Sequence, residues 1–428
     1  MKLSVFWFRR DLRLEDNTAL HHALASGLPV LPIFIFDQNI LQELPADDAR
    51  VSFIYHMLHS INDLLRKRGS SLFCLKGDPV KIWEDLIRKY AIGQVYLNKD
   101  YEPYALERDN KVKVLLNKHD IRLHAFKDQV IFEENEIVKK DEKPYTLYTP
   151  YKKRWLQCFH AKLILPVKSN NFDNFYPSKH VFPTLSEIGF RKSSIKVRNY
   201  DLSQLHKYAS TRDFPGEDST SCLGPHLRFG TISIRWIIRQ LKPSYEIFLS
   251  ELIWREFFMQ ILYHFPGVVS QNFKPKYNGI EWRNNELEFD RWCQGETGYP
   301  LVDAGMRQLN ATGTMHNRAR MVTAGFLCKH LLIDWRWGET YFAVKLLDYE
   351  LSSNNGNWQW AAGTGCDAAP YFRVFNPEEQ LKKFDKDLKY VKKWVPEYGT
   401  SNYATPIVEH KFARARALEA YKNGLITK

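Results

Sequence analysis

Residues 347–377 read LDYELSSNNGNWQWAAGTGCDAAPYFRVFNP. Two carboxylates, Asp348 and Glu350, stand two apart; an amide pair, Asn354 and Asn355, follows, and then Trp358 and Trp360. A run of mostly small residues, 361–369, leads to Arg373. Small residues let a backbone approach a flat ligand closely, while amides and carboxylates hydrogen-bond a heteroaromatic edge. A core helix with a Gly-rich exit is the competing explanation, but it accounts poorly for polar amides beside two tryptophans.

Other segments carry chemistry of their own. Thr220, Ser221, Cys222, Leu223 and Gly224 put hydroxyls and small residues ahead of Pro225. Free N–H groups and a helix dipole there favour phosphate, an ordinary Ser/Thr cap being the plainer alternative. In ELIWREF (251–257), helical spacing sets Glu251, Trp254 and Arg255 on one face. A solvated ion pair explains the charges, yet an exposed Trp between them asks for a stacking partner. In HNRARM (316–321), Asn317 and Met321 are one turn apart, with Arg318 and Arg320 placed for a phosphate or a carboxylate. His316 has no second ligand at metal spacing, so no metal site is expected. GTGCDA (363–368) fits G-x-G-x-x-A, but no strand precedes it and Pro370 falls where the fingerprint's helix should run.

These segments, in this order and with FRRDLRLEDN (8–17), resemble the photolyase/cryptochrome family, and within it the class I cyclobutane pyrimidine dimer photolyases. The match runs through essentially the whole chain. It implies FAD bound by Tyr208, Thr220, Ser221, Cys222, Leu223, Gly224, Arg255, Arg320, Asp348, Tyr349, Glu350 and Asn354. Asn354 matches the residue facing the reactive flavin nitrogen, and Asp348 the carboxylate at the ring edge, held by Arg320. Cys222 and Gly224 stand where the family commonly has a basic residue and a Ser, and Glu350 where it usually has Asp. Trp358, Trp335 and Trp282 match a relay carrying electrons from the surface to oxidised flavin. With Glu251 and Asn354 they are the expected catalytic residues. Arg212, Glu251, Trp254, Asn317, Arg318, Met321, Trp360 and Gln380 match DNA or lesion contacts.

The implied activity is light-driven splitting of cyclobutane dimers in UV-damaged DNA. Excited reduced FAD lends the electron, and the bases are held out of the stack. A light-signalling cryptochrome without repair is the alternative. Asn at 354, and a chain ending soon after a helix-like stretch at 412–421, lean towards repair. The run from Glu102 through Tyr104 to Arg108 and Asp109 looks more like relatives holding a deazaflavin or flavin antenna than folate binders, which carry Asn-Glu at 104–105.

The elements that must position these groups follow from periodicity. At 428 residues the chain has room for two cores. Apolar runs at 3–8, 30–36, 71–75, 94–97 and 121–126 alternate with helical patterns at 17–25, 48–68, 79–90 and 105–118. Residues 1–130 are therefore expected as an α/β, doubly wound parallel sheet, Rossmann-like but without a Gly-rich phosphate loop. Residues 131–205 are expected as an interdomain connection, with an aromatic stretch at 145–151 too sticky to be loose. From 206 to 428 helical spacing takes over, as at 247–262, 302–309, 316–332 and 340–347, giving an all-α domain. The formal net charge of +12 favours a polyanion as partner. Six scattered cysteines without a CxxC pair suit buried thiols in a reducing compartment. No apolar run has membrane or signal-peptide length, so a soluble, cytoplasmic protein is expected; a monomer is expected as well.

Overall fold

Strand β1, Leu3–Phe8, is apolar at all but one position and buried at every one, as a strand covered on both faces must be. β2, Val30–Asp37, is buried throughout as well. In the computed structural model, which describes residues 1–168 and 172–425, they join β3 (Phe73–Gly77), β4 (Ile92–Asn98) and β5 (Arg122–Phe126). All pairings are parallel, in the order β3-β2-β1-β4-β5. The helices between them are α1 (Thr18–Leu24), α2 (Ala49–Arg66), α3 (Pro79–Lys89) and α4 (Pro103–Asn117). Asp78 starts α3 by accepting from the N–H groups of Val80 and Lys81, with Pro79 in the first turn. Alternation along the strands makes two cores. Phe6, Phe8, Phe34 and Phe36 face one way; Val5, Trp7, Ile33 and Ile35 face the other. Each such buried side chain contributes roughly 1.5–3 kcal/mol.

The segment after β1 is a structural frame. Asn98 donates from Nδ2 to Asp11 Oδ2 (2.6 Å) and to Asn17 Oδ1 (2.8 Å). Arg13 pairs with Asp128 at 2.6 Å, and Arg235 pairs with Asp128 at 2.9 Å and Asp16 at 3.0 Å.

That frame moves the expected boundaries. The first compact unit holds residues 1–137, 155–199 and 223–242; the second holds 138–154, 200–222 and the chain from 243 onward. Residues 223–242 join the sheet because Arg235 is spent on Asp16 and Asp128. Residues 138–154 join the helices because the Tyr148 ring stacks on Trp254 at 3.6 Å and 9°. The stretch 131–205 is thus divided between the units.

The second unit is helical: α5 (Glu246–His264), α6 (Pro300–Thr312), α7 (Asn317–Gly325), α8 (Trp335–Lys345), α9 (Leu351–Ala362), α10 (Pro377–Phe384) and α11 (His410–Asn423), among others. The single helix expected over 316–332 is α7 followed by a π-helical turn, Phe326–Leu331, that stops at Leu332 with φ +53°. Every residue of that turn is buried, so its sequence shows no apolar stripe to reveal the change of period. Its core gathers Trp292, Phe326, Trp335 and Trp358. Among the described residues no helix is long and apolar enough to cross a membrane.

Candidate functional site

α9 presents Glu350, at its N-cap, and then Ser353, Asn354, Asn357, Trp358 and Ala361 to a cleft of about 610 Å3. These recur at helical spacing, so one face of the helix is polar and aromatic together. Asn317, Arg320, Met321 and Ala324 of α7, Phe342 of α8, and Leu346, Asp348 and Tyr349 complete the wall, with Trp360. The amide pair divides its labour. Asn355 turns inward and donates to the Val268 carbonyl at 2.9 Å, where Gln359 also donates at 3.0 Å. Those bonds hold α9 so that Asn354 faces the cleft.

Asn354 spends Nδ2 on Glu339, on its carbonyl at 3.1 Å and its Oε1 at 2.8 Å. That leaves Oδ1 as the acceptor available to a ligand. Burial pushes the Glu339 carboxyl up, against the pull of the Asn354 bond. Sequence reasoning missed Glu339, fifteen residues away on another helix; no local pattern marks it. Arg320 grips Asp348 through both carboxylate oxygens, at 3.1 and 2.9 Å, and donates from Nε to the Met315 carbonyl. Arg255 reaches Glu350 at 3.3 Å, so the longer Glu forms an ion pair on the cleft wall.

Glu251 and Arg255 share a helix but not a partner. Glu251 pairs with Arg212 at 2.5 Å. Burial raises its carboxyl and Arg212 draws it back down. Trp254 is half-buried, with Tyr148 on its face; the stacking partner that its exposure asked for comes from 145–151. Arg318 pairs with Asp213 at 2.6 Å and lies 4.0 Å over the Phe384 ring. Its Nε and the Oε1 of Gln380 are buried without a protein partner, atoms open to a ligand. His316 caps α7, its Nδ1 accepting from the N–H of Arg318. Burial, with Arg320 and Arg318 beside it, lowers its pKa to about 4.

The three tryptophans lie at different depths. Trp358 lines the cleft, Trp335 is fully buried, and Trp282 lines a separate open cleft of about 590 Å3.

The loop expected to hold phosphate leads into a short helix. The helix after it, Gly224–Arg228, has five residues, too short for a substantial macrodipole, and Leu223 makes no side-chain cap. Cys222 sits at φ +52°, and the Thr220 and Ser221 hydroxyls stand beside the backbone N–H groups as donors an anion can use. Tyr208 and residues 220–224 are outside the lining of the cleft, and Leu223 and Gly224 belong to the other compact unit.

The residues expected around an antenna are engaged with one another. Arg108 bonds Asp109 and lies over the rings of Trp7 and Tyr104. Tyr104 donates to Asp37 at 2.7 Å, and Glu102 pairs with Arg10 and Arg228. The cavity beside Arg9, Asn98 and Asp100 is about 210 Å3.

Two family models match the chain: "DNA photolyase" over residues 4–169 and "FAD binding domain of DNA photolyase" over 248–400. The second span contains every residue that lines the α9 cleft. A deoxyribodipyrimidine photo-lyase of Agrobacterium fabrum is 36% identical, covering 97% of each chain. The chain belongs to the DNA photolyase family. A bacterial class III photolyase from Agrobacterium tumefaciens superposes with a TM-score of 0.88 at 35% identity, over 99% of this chain and 98% of that one. An archaeal photolyase from Sulfolobus tokodaii with two FAD molecules superposes at 0.84 and 34% identity, over 98% and 99%. The relative from Agrobacterium tumefaciens is class III, whereas the sequence leans to class I; the family is common to both. The cofactor of this family domain is FAD, and the cleft suits it. Phe342 and Trp358 offer aromatic surface and Leu346 aliphatic surface, and Asn354, Asp348 and Arg320 offer edge contacts.

Proposed function

We propose that the chain repairs cyclobutane pyrimidine dimers in UV-damaged DNA by light-driven electron transfer, as a class I deoxyribodipyrimidine photo-lyase. The observation that carries this reading is the one cleft shared by Asn354 and by Asn317, Met321 and Trp360. It sets a flavin-edge acceptor beside lesion-facing residues. Bound reduced FAD supplies the electron on excitation. Asn354 Oδ1 accepts from the ring edge and, being neutral, adds no charge next to an anionic ring. The Arg320–Asp348 pair fixes the other edge, and the aromatic wall keeps water out. Glu251, with its carboxyl raised by burial, is the group that hydrogen-bonds the lesion, and Arg212 orients it.

The choice of lesion rests on proton chemistry. Relatives acting on (6-4) products carry paired histidines on the matching turn, where protons must pass between bases. Here those positions are Asn317 and Met321, and neither is an acid. His316 does not substitute: it is held neutral and its Nδ1 is already an acceptor. Illumination with damaged DNA is expected to remove cyclobutane dimers and leave (6-4) products intact. Comparable repair of both overturns the assignment. Failure on both moves the weight to a cryptochrome-type light receptor.

DNA engagement also has a signature in salt. Each phosphate neutralised contributes about −0.9 to the slope of log affinity against log salt on duplex. A steep negative slope is expected from the +12 balance; a slope near zero means the charge is a solvated surface.

A further inference from the structure

Lys329 stands on the π-helical turn and is buried, and among the described residues no carboxylate pairs with it. Its Nζ donates to the Ala362 carbonyl at 2.8 Å and to the Tyr371 carbonyl at 3.2 Å. It also lies 3.7 Å over the Tyr421 ring, and Tyr421 donates its own hydroxyl to the Ala362 carbonyl at 2.7 Å. The Tyr371 ring stacks on that of Tyr421 at 5.8 Å and 6°. Gly363, at φ +86°, turns the chain beside the amine: a Cβ there would lie 3.4 Å from Nζ.

Burial pulls the pKa of this amine down to about 7, a cost that a methionine filling the same space would not carry. The plainest role for the amine is to cap the last carbonyl of α9. That role accounts for Ala362 and not for Tyr371. The two acceptors stand at the two ends of one loop, 363–370, so a single amine closes it. The loop lies between two residues expected to face the lesion. Trp360 stands just before it on α9 and lines the cleft. From its middle, Asp367 Oδ2 accepts the Tyr148 N–H at 3.1 Å, and the Tyr148 ring is the one stacked on Trp254.

We propose that Lys329 is a positioning residue for lesion recognition: by closing loop 363–370 at both ends it sets Trp360 and Trp254 relative to each other, and so favours damaged over undamaged DNA. The inference rests on the reading of Trp254 and Trp360 as lesion contacts. Without the amine, the Ala362 carbonyl keeps the Tyr421 hydroxyl, but the Tyr371 carbonyl loses this donor and the far end of the loop is released. Asp367 then no longer fixes the Tyr148 backbone, and the ring beneath Trp254 shifts with it. The groups at the flavin edge have bonds of their own. Asn354 is held by Glu339, and Arg320 by Asp348 and the Met315 carbonyl. Lys329 takes part in none of these, so flavin binding and the photochemical step survive its loss while the choice of DNA does not.

The test is Lys329→Met and Asp367→Ala, singly and together, in FAD-loaded protein, with dissociation constants measured in the dark for dimer-bearing and undamaged duplex. Each single variant is expected to lose about tenfold in affinity for the dimer duplex, the scale of one charge-assisted hydrogen bond. Affinity for undamaged duplex, flavin content and repair per absorbed photon at saturating DNA are expected to stay native. The double variant is expected to lose no more than the worse single one, because both act through one loop. Lys329→Gln keeps N–H donors and is expected to fall between native protein and Lys329→Met; it takes over the test, by the same criteria, if Lys329→Met does not retain flavin. Native preference for the dimer duplex in Lys329→Met overturns the proposal. So do equal losses on both duplexes, or additive losses in the double variant. Trp254→Ala is the separate control: native preference in that variant removes the lesion-contact reading itself. A preference lost there but native in Lys329→Met overturns the role of Lys329 alone.

Discussion

Trp335→Phe is expected to abolish light-driven reduction of bound oxidised flavin while leaving dimer splitting by chemically pre-reduced protein unchanged. Trp335 is fully buried at the start of α8, whose N-cap is Asp334. Phenylalanine keeps an aromatic ring in that core and loses the Nε1 hydrogen bond to Asn272. The lost bond costs roughly 0.5–1.5 kcal/mol, and an unpaired Asn272 oxygen somewhat more. The variant should therefore fold. On the proposed relay reading, what it lacks is the oxidisable indole. On the same reading the lesion does not draw on these tryptophans, so repair from the reduced state should be untouched. Absorption spectra under blue light with dithiothreitol measure the first outcome, and dimer loss after dithionite reduction measures the second. Equal photoreduction in variant and native protein would show that these tryptophans are packing residues.

Gly338→Ala is expected to lower both thermal stability and flavin content. A Cβ there would lie 2.1 Å from Cη2 and 2.5 Å from Cζ3 of Trp358, and 2.6 Å from Cδ2 of Leu327. The Trp358 ring is rigid and buried, so the helices must part or Trp358 must move. Overpacking of this kind costs roughly 1–3 kcal/mol. With about 2.1 cal/mol/K of unfolding entropy per residue, a chain of 428 residues loses about 1 °C of Tm per kcal/mol. Trp358 is a wall of the cleft, so its displacement should also reduce bound FAD. Gly267→Ala is the control, since its added methyl meets nothing within 4 Å. Calorimetry and the flavin-to-protein absorbance ratio read both effects. A Gly338→Ala protein with native Tm and native flavin content would mean that α8 and α9 are not in contact through this glycine.

The parallel sheet was legible in the sequence because its strands are buried on both faces and its helices start with local chemistry, as Asp78-Pro79 does. Local chemistry does not require knowledge of distant partners. The family was legible for a related reason: ELIWREF, HNRARM and NNGNWQW are long contiguous words. Within each, residues at helical spacing share one face, and one face meets one ligand.

Pairing across the chain was decided by tertiary structure alone. Helical spacing put Glu251 beside Arg255, yet each charge found its partner elsewhere, in Arg212 and Glu350. A carboxylate takes the best desolvated partner within reach, and i, i+4 neighbours are only one option. The same holds for Glu339 behind Asn354 and for Asn272 behind Trp335. Neither stands near its partner in sequence. The unit boundaries moved because single side chains, Arg235 and Tyr148, commit their segments to a particular core. Composition averages over such residues and is blind to them. The π turn after α7 was hidden for a different reason: where every side chain is buried, hydrophobic periodicity has no contrast to record.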